Sequence, residues 1–115
     1  MNKIEKTLEE KGINRLSEKY YCKITVIKCD FNSDLYHQYP YGAAAPCGCL
    51  KAGQEFISTS RWGPPEGLCI WAWRDLLPMI QSYHEGRDHP SVHCCTDGLR
   101  PVTFKLERIE SAGNE

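Results

Sequence analysis

The sequence predicts an α+β domain, a small and mostly antiparallel sheet covered on its apolar face by one long, kinked helix. Three stretches carry that reading. From Tyr20 to Cys29 the chain alternates with period two, Cys22, Ile24 and Val26 against Lys23, Thr25 and Ile27, with much β-branching. Val102, Phe104 and Leu106 alternate in the same way with Thr103, Lys105 and Glu107. Between them Cys69, Ala72, Trp73, Leu76 and Ile80 recur at helical spacing, so one stripe of a helix is apolar. Runs of these kinds in this order build a sheet with a helix on one face.

Taken in order, residues 1–19 are charged, with Ile4, Leu8, Ile13 and Leu16 too sparse for a core element. They read as an N-terminal helical extension packing on the domain or on a partner. Residues 20–110 form a single α+β domain. Its first strand is Tyr20 to Cys29; Asp30 and Asn32-Ser33 then offer turn and N-cap chemistry before a helical turn over 34–39, halted by Pro40. Residues 40–54 are a loop rich in glycine and proline, 55–59 a short strand, and 61–67 a loop that leads into the long helix. Pro78 predicts a kink near Arg74, and Gly86 ends the helix. Residues 91–95 and 101–109 read as a hairpin, joined through a tight turn at Thr96-Asp97-Gly98 in which Gly98 supplies positive φ. Residues 111–115 read as a frayed tail.

The chain has 115 residues, 41% hydrophobic and 25% charged, the balance of a globular domain with a real core. A net charge of -1 gives no electrostatic case for nucleic acid. No apolar run approaches the roughly 20 residues of a membrane span. The N-terminus lacks the apolar segment of a signal peptide, so the reading is cytoplasmic. Cysteine is the outlier, seven in all and odd in number. In a reducing compartment such a set points to metal, redox or nucleophilic chemistry ahead of a disulfide framework.

Those cysteines fall in distinct places. Pro65-Glu66-Gly67-Leu68-Cys69-Ile70-Trp71-Ala72-Trp73 reads as a turn that delivers Cys69 to a helix N-terminus, where the dipole favours a thiolate. Cys47 and Cys49 sit in the Gly/Pro loop, Cys94 and Cys95 at a strand end. Cys22 and Cys29 are seven apart in one strand, on opposite faces, and cannot share a site without a bulge. Adjacent Cys94 and Cys95 also face opposite ways; Val92 decides between them, since Cys94 shares its face.

Three function classes follow. Cys47, Cys49, Cys69 and Cys94 or Cys95 could converge as four thiolates on zinc or an iron–sulfur cluster, although neither Cys-Gly-Cys nor Cys-Cys has the spacing of common zinc or ferredoxin modules. Alternatively Cys69 is a nucleophile, with Arg61, Arg100 or His93 tuning it and Arg100 binding an anionic substrate group. His37, His84, His89 and His93 otherwise read as surface or loop residues. In the third class the protein is a homo-oligomeric interaction module: Trp71 and Trp73 point about 200° apart, so Trp73 takes the core and Trp71, with Trp62, is left for an interface or pocket wall.

Pro46-Cys47, Gly53-Gln54-Glu55-Phe56, the Pro65–Trp73 run and Cys94-Cys95-Thr96-Asp97-Gly98-Leu99-Arg100-Pro101-Val102-Thr103-Phe104-Lys105-Leu106-Glu107-Arg108-Ile109 resemble a family of small prokaryotic proteins found largely in anaerobes and without an established activity. The resemblance covers roughly residues 20–110. It implies Cys47, Cys69, Cys94 and Cys95 as the thiols of interest and sets Cys49 aside, because proline stands there in the family pattern. An anaerobic setting implies an oxygen-sensitive cluster, with a redox partner protein, or a reactive thiol.

Overall fold

The alternation that starts at Tyr20 runs for ten residues as β1 (Tyr20–Cys29) in the computed structural model, which describes residues 18–111. After it come α1 (Ser33–Gln38), β2 (Glu55–Ser58), α2 (Ile70–His84), β3 (Ser91–Cys94) and β4 (Val102–Glu110). The four strands form one sheet in the order β2-β1-β4-β3, every pair antiparallel. The α+β class, the order of these elements and the β3–β4 pairing are those the sequence predicts. Most of the expected extension (1–19) and tail (111–115) lies outside the described residues; at the boundaries, Glu18 and Ser111 are buried.

Period two puts Cys22, Ile24 and Val26 of β1 on the same face as Val102, Phe104 and Leu106 of β4, and all six are buried. Ala72, Trp73, Leu76, Ile80 and Tyr83 of α2 close over them. Each large aliphatic side chain so covered contributes about 1.5–3 kcal/mol. The opposite face is mixed, with Lys23 paired to Glu55 and Lys105 to Glu107 beside exposed Ile57 and Val92.

One irregularity matters for the site. Val26 pairs with Phe104, but the next pairs are Lys28 with Thr103 and Cys29 with Val102, so Ile27 is an extra residue in β1. A bulge of this kind inverts the facing of everything after it. Cys29 therefore turns to the side of buried Val102, packs against the core, and donates its thiol to the Leu50 carbonyl at 3.5 Å. Cys22 and Cys29 thus share a face after all, but at opposite ends of the strand.

The kink expected at Pro78 is not there; α2 runs unbroken from Ile70 to His84. Pro78 and Arg74, whose carbonyl loses its partner, both lie on the exposed side, where the free carbonyl faces solvent. On the other side Leu76 and Ile80 hold the rod against the sheet. Gly86 does end the helix: at φ 117° its N–H reaches the Tyr83 carbonyl at 3.0 Å, and the Arg87 N–H reaches that of Ser82 at 3.0 Å. This pair of bonds is the Schellman arrangement, which favours glycine at the left-handed position.

At this end of α2 His84 is buried, contrary to the surface role read from the sequence. Its Nδ1 lies 2.7 Å from the Tyr20 carbonyl, which only accepts, so Nδ1 carries the hydrogen; Nε2 lies 2.9 Å from Ser58 Oγ. Nearby, Arg61 is absorbed by structure rather than by a thiol. Its backbone N–H, Nε and Nη2 donate to the Glu18 carboxylate at 3.0, 2.9 and 3.0 Å, while Nη1 donates to Glu85 at 2.8 Å. Burial works against ionised Glu18, but the bonds from Arg61 outweigh it and hold the carboxyl below its usual value of 4.5.

Leu76→Ala is expected to lower unfolding free energy by about 2–5 kcal/mol in urea titrations, since it empties volume between α2 and the two inner strands. The lowered Glu18 value has a definite sign. Its contribution is complete above the unfolded glutamate value and is lost as pH falls through the folded one. Glu18→Gln is therefore expected to lower stability at neutral pH and to flatten the acid limb of a stability–pH curve below about pH 4.5; an unchanged acid limb would refute the assignment.

Candidate thiol site

The site lies at the other end of α2, where three chain segments meet. The first is the loop after α1. Its end is pinned beside the bulge: the Gly53 N–H donates to the Val26 carbonyl at 2.8 Å and the Val26 N–H to that of Gln54 at 2.9 Å. Buried Leu50 anchors it, leaving Cys47 half-buried and Cys49 exposed.

The second segment is the turn into α2. The Leu68 N–H bonds the Pro65 carbonyl at 3.2 Å, and Gly67 sits at φ 86°, the position where a type II turn requires positive φ. Cys69 follows as N-cap, with extended backbone (φ -56°, ψ 131°), its carbonyl accepting from the Trp73 N–H at 2.9 Å and its side chain making no capping bond. The thiol is thus set at the start of the helix, as the sequence predicts.

The third is the β3–β4 connection. The Cys95 N–H donates to the Val102 carbonyl at 3.0 Å, and Cys95 Sγ accepts from the Val102 N–H at 3.4 Å. The turn that follows is shaped by Asp97 and not by Gly98, which is not among the glycines at positive φ. Asp97 Oδ1 accepts from the backbone N–H groups of Leu99 and Arg100, both at 3.0 Å. Asp75 of α2 suspends the start of the loop, its Oδ2 accepting from the Thr96 N–H at 3.0 Å and from Thr96 Oγ1 at 2.9 Å. Burial opposes the charge on Asp75, yet these bonds, with Arg74 alongside, hold its carboxyl below the usual aspartate range.

Together the segments enclose an open cavity of about 580 Å³, within the range of small-molecule sites. Cys47, Cys49, Cys69 and Cys95 line it, among apolar Leu50, Ala72, Leu99 and Val102. Trp71 forms part of the wall, 62% exposed, with the Arg74 guanidinium 4.7 Å from its ring centre. Trp73 is buried, so the two tryptophans divide as their spacing predicts.

Of the residues singled out from the sequence, Cys47, Cys69, Cys95 and Arg100 come together here and Cys94 does not. Val92 is 61% exposed, so Cys94 follows it outward and Cys95 turns inward. Burial pushes the Cys94 thiol up, and the neighbouring Cys95 charge adds to it. Arg100 lines the cavity, and one nitrogen of its guanidinium is committed to the wall: Nη1 donates to the carbonyls of Tyr41 at 3.0 Å and Ala43 at 2.9 Å. Tyr36 Oη takes the carbonyl between them, Gly42, at 3.0 Å, so three successive carbonyls are held by side chains. None of the four histidines lines the cavity. His93 instead bonds Ser91 Oγ at 2.7 Å, and burial holds it below its usual value.

Two thiols gain importance over the sequence reading. Cys49, set aside by the resemblance, opens on the cavity, and the Cys47 thiol beside it pushes its pKa up, with Cys69 contributing. Its signal was the Cys-Gly-Cys spacing. Cys29 is brought near by the bulge; burial raises it first, then the charge of Cys47. No period-two reading could find it. Among the described residues no three His, Cys, Asp or Glu side chains are arranged to hold a metal ion, and no helix is long and apolar enough to cross a membrane. No protein family, curated protein or solved structure matches the chain.

Gly42 tests the clamped wall. It sits at φ 72°, and an added Cβ would lie 2.8 Å from Arg100 Nη2, whereas at Gly48 nothing lies within 4 Å. Gly42→Ala is expected to cost about 1–3 kcal/mol in thermal or urea unfolding through backbone strain and a displaced guanidinium. Gly48→Ala, measured alongside, is expected to stay within about 0.5 kcal/mol of the parent.

Proposed function

We propose that the protein is a thiol enzyme acting on a small molecule, with Cys69 the attacking nucleophile. The observation that carries this is the convergence of four thiols from three separate segments on one largely apolar cavity. Sulfur is a strong nucleophile toward soft electrophiles, and its reaction benefits from a fixed position and from exclusion of bulk water. Cys69 has the fixed position, held between a tight turn and the first helical bond. The N–H groups of the first turn of α2, which helix geometry leaves without carbonyl partners, lie next to it and suit a negative charge developing on the bound molecule. Trp71 offers a flat apolar wall for a planar substrate group.

Arg100 has two roles in this reading: Nη1 holds the Tyr41 and Ala43 carbonyls and so positions the wall, while the rest of its guanidinium is the group offered to an anionic part of the substrate. The same convergence supports the zinc or iron–sulfur reading less far, because structural ligation needs several donors at fixed geometry and no such group is arranged among the described residues. Exposed Trp71 at the cavity wall, and exposed Trp62 away from it, are the apolar surfaces on which a second copy would pack.

Timed alkylation of the reduced, metal-free protein at neutral pH, mapped by peptide mass spectrometry, tests the proposal. Cys69 is expected to react first, about tenfold or more ahead of Cys94. Uniform slow labelling would refute a nucleophile there. Stoichiometric iron or zinc in freshly purified protein, lost in Cys47→Ala and Cys69→Ala, would move the assignment to a metal centre.

A further inference from the structure

A nucleophilic thiol with a second thiol in reach has a chemistry that a lone one lacks, because the neighbour can displace whatever the first has captured. The cavity holds three candidates for that neighbour. Cys95 Sγ already accepts the Val102 N–H at 3.4 Å, at the base of the β3–β4 connection. Cys47 is half-buried and packed against the core. Cys49 is the exposed thiol of the four lining the cavity. Gly48 before it leaves open space beside Cys49, with nothing within 4 Å of an added Cβ. The Cys49 thiol is pushed up by Cys47 first and, to a lesser extent, by Cys69. One thiol is thus fixed at a helix start and the other is exposed on the loop that lines the same cavity.

We propose that this site reduces small-molecule disulfides, Cys69 attacking and Cys49 resolving, with the bound disulfide carrying apolar or flat arms that fit beside Trp71 and Leu50. The inference rests on the thiol-enzyme reading above and adds to it the substrate class and the second residue. In the first step the Cys69 thiolate attacks one sulfur of R–S–S–R; the S–S bond breaks, and RS⁻ leaves and takes a proton from solvent. A mixed disulfide, Cys69–S–S–R, remains. Cys49 then loses its proton to solvent and attacks the Cys69 sulfur, expelling the second RS⁻, which is protonated in turn. The substrate has gained two electrons and become two thiols; the protein has lost two and holds a Cys49–Cys69 disulfide. A small dithiol such as dithiothreitol returns it to the reduced state by ordinary exchange.

Dithiodipyridine, a flat and uncharged aromatic disulfide, is the probe. The reduced full chain is held in excess and released pyridinethione is read by its absorbance. The parent is expected to release about two thiones per probe molecule and to show a Cys49–Cys69 bridge in a non-reducing peptide map. Cys49→Ser is expected to stop at about one, with the other pyridylthio group retained on Cys69. Cys94→Ser, outside the cavity, is expected to behave as the parent, and circular dichroism checks that each variant is folded. Two thiones from Cys49→Ser, or a bridge mapping to another pair, would overturn the resolving role while leaving Cys69 as nucleophile. If Cys69→Ser leaves the rate of the first release unchanged, the underlying thiol-enzyme reading fails instead.

Discussion

Everything described depends on one helix covering one face of a four-stranded sheet. The apolar stripe of α2 meets the inner faces of β1 and β4, and Ile80, Tyr83, Phe104 and Leu106 are fully buried between them. That contact fixes the helix in place, and its two ends then become the places where other segments can be attached. At the C-terminal end, buried His84 bridges β1 and β2 through Tyr20 and Ser58. At the N-terminal end, Cys69, Trp71, Ala72 and Asp75 form one side of the cavity. A small domain with a single core has few rigid points, and this one places its thiols against the best of them.

Seven identical side chains meet very different surroundings along the chain. Burial pushes Cys22, in the middle of the core, up to about 12, which makes it a small hydrophobe and nothing more. Cys94 faces out from an edge strand. Cys29 is directed to a carbonyl at the foot of the thiol loop. The remaining four open on common space. A count of cysteines therefore overstates the chemistry, and their distribution over faces and loops states it better.

Much of the frame was legible in the sequence, because it rests on periodicity. The strands at Tyr20–Cys29 and Val102–Glu110 announce themselves by alternation, and the α2 stripe by its helical spacing; Gly86 marks the helix end for a steric reason that sequence carries directly. What was hidden came from relations between segments. The Ile27 bulge depends on pairing with β4, and only it brings Cys29 inward. Pro78 breaks no helix because it lies on the solvent side. The Asp97-Gly98 pair suggested a glycine turn, yet the aspartate side chain sets that loop. Cys94 and Cys95 could be ordered only conditionally, and the exposure of Val92 supplied the condition. Arg61 and Arg100 looked available because their partners, Glu18 and the Tyr41 and Ala43 carbonyls, are distant in sequence.

The ties that assemble the cavity are of a different kind from those that hold the core. Asp75 to Thr96, Arg100 to Tyr41 and Ala43, and Asn32 to Gly98 at 2.7 Å are polar links that tie the loops to one another and to α2, whereas α2 is held to the sheet by apolar burial. Links of that sort are local, whereas the core is shared by every element that packs on it. The segments that carry Cys47, Cys49 and Cys95 are thus positioned by side-chain polarity together with the anchor at Leu50. The spacing of the sulfurs and the folding of the domain answer to different forces.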